Sequence, residues 1–199
     1  LEGLTQAVDE HRILVWSADE AEEAELAETP LAGLLPQGGP HPRFGVYVND
    51  ATSSEMQFYL RWESSVEAVR CLADDQQELA LTVKLTSTAP ADAALLPQYI
   101  VGNGRFADPG TQQVNLRIAA PAGSTLASLE VDGERTIYAR GDLGDRPIAI
   151  QPVVLAPGQE VTLTLTVTTG QDQPGSSIVS TTPGVVPFAQ DQRFPSACG

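Results

Sequence analysis

The sequence predicts a mainly β protein: an antiparallel β-sandwich preceded by a short α-helical N-terminal segment. Three observations predict it. Beyond residue 43, apolar and polar side chains alternate with a period of two in one segment after another, the signature of strands that bury one face. The 17 Gly and 15 Pro are spread between those segments, as many turns require. The first 36 residues lack that rhythm and are rich in Ala, Leu and Glu.

In that leading stretch, Leu4 to Arg12 can form a short helix. Ile13-Leu14-Val15-Trp16 is an apolar run that predicts a buried strand. Ser17-Ala18-Asp19-Glu20 fits a capping box for the acidic helix that follows to Glu28. In such a box Ser17 accepts from free N–H groups while Glu20 reaches back. Glu22, Glu23, Glu25 and Glu28 read as a solvated face whose first turn suits the helix dipole. Pro30 can start another short helix reaching Leu35. Pro36-Gln37-Gly38-Gly39-Pro40-His41-Pro42 cannot continue a helix. The chain therefore divides into residues 1–36, the tail of a preceding domain or an extension packed on the sandwich, and residues 43–199, the sandwich itself.

Strands are predicted at 44–49, 56–62, 64–71, 79–86, 114–118, 124–131, 136–139, 147–155, 161–167 and 177–182. In the second, Met56, Phe58, Leu60 and Trp62 share a face. The clearest is Val161-Thr-Leu-Thr-Leu-Thr-Val167, with four large apolar residues on one side and threonines on the other. Asp132-Gly133 signals a hairpin and Pro157-Gly158 a type II turn. Ala89 to Gly104 predicts a long connection with a helical turn, as in Greek-key sandwiches. Trp62 precedes Cys71, and Cys198 stands at the far end. This is not the Cys-Trp-Cys order of antibody domains, so the prediction is an immunoglobulin-like or fibronectin-like sandwich.

Composition excludes several functions. A net charge of −15 repels phosphate backbones and anionic lipid, which argues against nucleic-acid partners. No apolar stretch reaches the ~18–20 residues of a membrane span, so no direct membrane insertion is expected. Leu1 opens the sequence inside a helical stretch, so the chain reads as a piece of a longer protein. Cys71 and Cys198 are too far apart for a CxxC redox or zinc motif. The leading reading is a disulfide pinning the chain end to an early strand; the alternative is two unpaired thiols.

Catalytic machinery is not legible, and no catalytic residue is assigned. The two histidines, His11 and His41, fall in the first helix and the Pro-Gly junction, and no G-x-S-x-G elbow or G-x-x-x-x-G-K loop occurs. A hydrolase built on a carboxylate pair stays open, since 26 acidic residues offer many chance neighbours. No cofactor and no dedicated metal site are expected. Adventitious Ca²⁺ could use Asn49, Asp50, Thr52 and Glu55, or Asp142 and Asp145, but neither set has EF-hand spacing. Asx turns are the favoured reading of both. Arg140-Gly141-Asp142, known as an adhesion tripeptide, reads as an ordinary polar turn. Tyr47, Tyr59, Tyr99 and Tyr138 are candidates for sugar contact, although core or rim packing is favoured for most of these rings. Asn49, Asp50, Thr52, Glu55 and Tyr59 together form the candidate binding or structural loop.

His11-Arg-Ile-Leu-Val-Trp-Ser-Ala-Asp19 and Phe44-Gly-Val-Tyr-Val-Asn-Asp-Ala-Thr-Ser-Ser-Glu-Met-Gln-Phe-Tyr-Leu60 resemble the C-terminal region of the actinobacterial family called domain of unknown function 4012. Leu85-Thr-Ser-Thr-Ala-Pro-Ala-Asp92 and Leu155-Ala-Pro-Gly-Gln159 are similar too. The resemblance runs from about residue 11 to the Cys198-Gly199 end, with Asn49-Asp50-Ala51-Thr52, Met56 and Tyr59 its most specific part. A Lys is usual where this chain has Glu55 and a Tyr where it has Phe58, which argues against anion binding. The resemblance implies an extracytoplasmic location at the cell surface or wall, through a membrane anchor outside this chain. Residues 1–36 would then be the tail of the preceding domain.

The expected function is a non-catalytic structural or interaction module of a cell-envelope protein, its partners being neighbouring domains of that protein. The alternative is carbohydrate binding in surface-polysaccharide assembly or anchoring. Mass spectrometry of unreduced peptides should find Cys71 joined to Cys198; two alkylatable thiols in the native protein would contradict the bridge.

Overall fold

The computed structural model describes residues 2–35, 38–186 and 190–198. Two sheets stack face to face, as predicted. Their strands are β1 (Arg43–Asp50), β2 (Leu60–Cys71), β3 (Gln77–Ser87), β4 (Gln112–Ala119), β5 (Thr125–Val131), β6 (Glu134–Arg135), β7 (Ala139–Leu143), β8 (Arg146–Leu155), β9 (Glu160–Thr168), β10 (Ser177–Thr181) and β11 (Gln192–Phe194). One sheet has the order β11-β10-β1-β4-β8-β7 and the other β2-β3-β9-β5-β6. Their pairings are antiparallel except for β1 with β10, which is parallel.

The core follows from alternation. Leu79, Leu81, Val83 and Leu85 of β3 point inward beside Val161, Leu163, Leu165 and Val167 of β9. They meet Phe44, Val46, Val114, Leu116, Ile118, Val153 and Leu155 from the other sheet. Each such side chain contributes roughly 1.5–3 kcal/mol on burial. On the outer face of β3, Thr82 lies against Thr164, and Lys84 pairs with Glu160 at 2.8 Å. Two bulges let the inward pattern break step without exposing the core. Ala127 is the extra residue that lets both Leu126 and Leu129 face inward. Val69, extra between Ala68 and Arg70, is turned out to solvent.

The turns behave as their residues dictate. Asp132 and Gly133 both adopt positive φ, +50° and +82°, the type I′ geometry that matches strand twist. At the Pro157-Gly158 turn, Gln159 N–H closes onto the Ala156 carbonyl at 3.0 Å, with Gly158 at φ +76°. The 89–104 connection holds a 3₁₀ turn at Ala93–Leu95 and a one-turn helix at Gln98–Val101.

The leading segment forms helices α1 (Glu2–Asp9) and α2 (Glu20–Leu26), with a 3₁₀ turn at Pro30–Ala32. Several expectations are corrected here. Helix α1 stops before Arg12 because His11 takes a left-handed φ of +54°. His11 N–H then bonds the Val8 carbonyl and Arg12 N–H the Ala7 carbonyl, a Schellman closure. The cap of α2 is Asp19, not Ser17; its carboxylate accepts from Ala21 and Glu22 N–H. The carboxylate that reaches back is Glu23, which accepts from Ser17 N–H at 2.9 Å. Ile13–Trp16 is neither strand nor buried: its Val15 N–H bonds Leu31 O, and Trp16 is 75 % exposed. The 3₁₀ turn also ends at Ala32 instead of reaching Leu35. Pro36 and Gln37 of the predicted junction lie outside the described residues.

Two strand predictions are also corrected. Residues 56–59 form a 3₁₀ turn, and β2 begins only at Leu60. Leu60 and Trp62 face inward while Phe58 points out. Residues 136–138 carry no ladder; the strand comes later, as β7, and contains the Arg140-Gly141-Asp142 stretch expected to be a turn.

The chain end is clamped. Cys71, closing β2, is disulfide-bonded to Cys198 across 127 residues. Beside it Gln77 is fully buried and fully used. Its Nε2 donates to the Gln173 and Gly175 carbonyls at 2.8 and 2.9 Å. Its Oε1 accepts from Ala197 N–H and Ser196 Oγ at 2.8 and 3.1 Å. One amide thus holds the 173–175 loop and the tail together. Replacing Gln77 with Leu strands the Gln173 and Gly175 carbonyls and the Ala197 N–H, while Ser196 Oγ keeps the Pro174 carbonyl; it should cost about 2–4 kcal/mol, whereas Trp16→Ala should change stability by under about 0.5 kcal/mol. Urea unfolding checks both; equal losses would contradict this placement.

Candidate functional site

The predicted loop is drawn together, but largely to satisfy itself. Asn49 and Asp50 are the last two residues of β1, paired with Asn115 and Val114 of β4. Thr52 Oγ1 donates to Asp50 Oδ1 at 2.6 Å and lies 2.6 Å from Ser54 Oγ; Thr52 and Ser54 are both buried. Ala51 N–H bonds Gln113 O, and Glu55 N–H bonds Ile100 O. Gln112, buried beneath, donates its Nε2 to Met56 O at 2.6 Å. This is a hydroxyl-and-carboxylate chain folding a tight corner. Among the described residues no three His, Cys, Asp or Glu side chains are grouped as a metal site.

Beside this corner lies a surface that sequence reading missed. The 3₁₀ turn packs Met56 and Tyr59 into a satellite cluster with Ala89, Ala93, Val101, Leu96 and Ile100, capping one end of the sandwich. Phe58 is thrown outward, 57 % exposed, its ring edge-to-face with Tyr59 at 5.2 Å. Phe58, Tyr59, Ile100 and Val185, with Glu55 and Gln57, line an open groove of about 420 Å³. A second hollow shares Val185 and continues past Leu60, Arg61 and Trp62. Arg61 Nη1 is fixed there, donating to the Phe58 and Leu60 carbonyls at 2.8 Å each. Trp62 donates Nε1–H to Thr181 Oγ1 at 3.0 Å.

A further cleft of about 430 Å³ separates the leading segment from the outer face of β1 and the 180–183 stretch. His11, Leu14 and Leu34 line one wall; Arg43, Tyr47, Ser180 and Asp191 line the other. Gly45 permits this approach, because a Cβ there would sit 2.7 Å from both Leu35 Cδ1 and the Tyr47 hydroxyl. Arg12 crosses to donate to Gly184 O at 2.8 Å. Burial pushes the Tyr47 phenol above its ordinary pKa, partly offset by the nearby Arg146 charge. Burial also lowers Arg146; this side chain donates to the Arg43 carbonyl at 2.9 Å, a structural role.

Of the other sequence candidates, His41 sets Nδ1 3.1 Å from Ser176 O. Tyr99 is exposed, and Tyr138 carries Arg140 over its ring at 5.0 Å. Asp142 lies on β7, apart from the 49–59 corner.

No protein-family model matches this chain, and no curated protein matches it. Among solved structures, a protein of Legionella pneumophila subsp. pneumophila str. Philadelphia 1, provisionally named a nutrient binding protein, aligns at 7 % identity and TM-score 0.38, over 72 % of this chain and 56 % of that one. An M1 zinc metallopeptidase from Deinococcus radiodurans aligns at 11 % identity and TM-score 0.27, over 78 % and 30 %. The chain thus spans about half or less of these proteins, and likenesses this loose carry no functional inference.

If the 49–59 corner is held by its own hydroxyls, Thr52→Val should lower stability by about 1–3 kcal/mol, and millimolar Ca²⁺ should shift neither protein's thermal midpoint. A calcium-dependent rise in the parent's midpoint would contradict the reading.

Proposed function

We propose that this chain is a non-catalytic interaction module working outside the cytoplasm, docked to neighbouring domains of the same envelope protein. The observation that carries the reading is the exposed apolar run of the leading segment: Leu14 is 57 %, Val15 42 %, Trp16 75 % and Leu34 60 % exposed. Large apolar side chains left in water along one short segment support a surface built to be covered. The Cys71–Cys198 bridge supports the compartment, since such bonds persist where the surroundings are oxidising. The resemblance to the domain of unknown function 4012 supports an envelope protein with the anchor elsewhere. No helix of the described residues is long and apolar enough to cross a membrane.

A second reading, binding of cell-surface polysaccharide, is favoured by one feature: the outward Phe58 ring, braced by Tyr59 and flanked by the fixed Arg61. An exposed ring with a polar rim suits a sugar face.

The two readings are separable. In a Trp62→Phe background, acrylamide should quench Trp16 freely in this chain and several-fold less in the full-length protein; equal quenching in both would sink the docking reading. Glycan-array binding lost on Phe58→Ala and Tyr59→Ala would establish the second.

A further inference from the structure

We propose that β7 is a homotypic contact: two copies of this chain pair antiparallel along Ala139–Leu143 and join their six-stranded sheets across a two-fold axis at Gly141. The other sheet edges offer less. β11 and β6 have only three and two residues, and β2 lies beside β10 and β11. β7 terminates the larger sheet, and Ala139, Arg140, Asp142 and Leu143 are exposed.

Backbone direction follows from the ladder. Ala120 N–H bonds Pro147 O at 2.9 Å, so Pro147 turns its polar backbone toward β4. Its neighbours Arg146 and Ile148, and then Ile150, turn theirs toward β7, opposite Leu143, Gly141 and Ala139. Arg140 and Asp142 therefore aim their N–H and C=O groups away from β8, at the free edge. Residues directly opposite in an antiparallel pair both point their polar groups at each other or both away. A two-fold pairing within this strand thus has three registers. Centring on Arg140 opposes two arginines, and centring on Asp142 opposes two aspartates. Centring on Gly141 sets Arg140 opposite Asp142 of the second copy, twice.

That register is the charge-complementary one, and like charges directly opposite would disfavour the other two. It also sets Leu143, 53 % exposed, beside Ala139 of the second copy and toward its Ile137, 96 % exposed. At Gly141 no side chain intervenes, and a Cβ there would meet nothing within 4 Å. Self-repulsion of chains carrying −15 each keeps indiscriminate association down, so the contact must supply matched charges. The product is a short, weak, register-specific dimer rather than an obligate one.

Sedimentation velocity from about 5 to 500 µM tests this. The parent should shift toward dimer with concentration. Arg140→Asp and Asp142→Arg should each weaken association about tenfold or more, while the double swap, which restores opposite charges across the axis, should return to within about threefold of the parent. All are exposed edge changes, and circular dichroism would verify their folding. A parent that stays monomeric, single variants that dimerise like the parent, or a double swap that does not recover would each overturn the proposal.

Discussion

The structure depends on one constraint: β3 and β9 each present four large apolar side chains on a single face and lie side by side in one sheet. A sheet with such a face cannot stand alone in water, so a second layer must close on it. β1, β4 and β8 supply that layer with the same periodicity. The outer faces can then remain polar, and the bulges in β2 and β5 re-phase their strands where the sequence loses step.

A second level of organisation sits at the ends of the sandwich. At one end Cys71 and Gln77 clasp the tail and the 173–175 loop. Covalent bond and buried amide act on the same few residues. Together they keep strand β11 at the edge beside β10 instead of leaving an unpaired, unstapled chain end. At the other end, the 89–104 connection and the 3₁₀ turn at Met56–Tyr59 plug the gap between sheets with apolar residues. Because that plug takes Met56 and Tyr59, Phe58 has nowhere inward to go.

Strands whose partners bury one face were legible, because alternation reports burial directly: β3, β4 and β9 fall where the pattern put them. Elements decided by competition were not. Met56-Gln-Phe-Tyr alternates like a strand, yet Ser54 and Gln112 bind its backbone and wind it into a 3₁₀ turn. Ile13–Trp16 looks like a buried strand, but its Val15 N–H is bonded to Leu31 within the leading segment and not to a sheet. Asp19 outcompeted Ser17 as a cap because Ser17's own groups are engaged by Asp19, Glu22 and Glu23. The candidate loop was legible as a cluster of residues, and its hydroxyl chain explains their types. The groove next to it was not, since Phe58, Ile100 and Val185 come from three segments distant in sequence.

With the core built this way, the β3–β9 pair is the last structure to open, and the clasped tail and leading segment open independently of it. Hydrogen exchange of the oxidised and reduced protein measures this most directly. β3 and β9 amides should exchange slowest, by global unfolding. Reduction should accelerate residues 169–175 and 190–198 far more than β4 or β5, and residues 13–17 should exchange fast in both states. Protection of residues 13–17 equal to that of β9, or tail amides untouched by reduction, would contradict it.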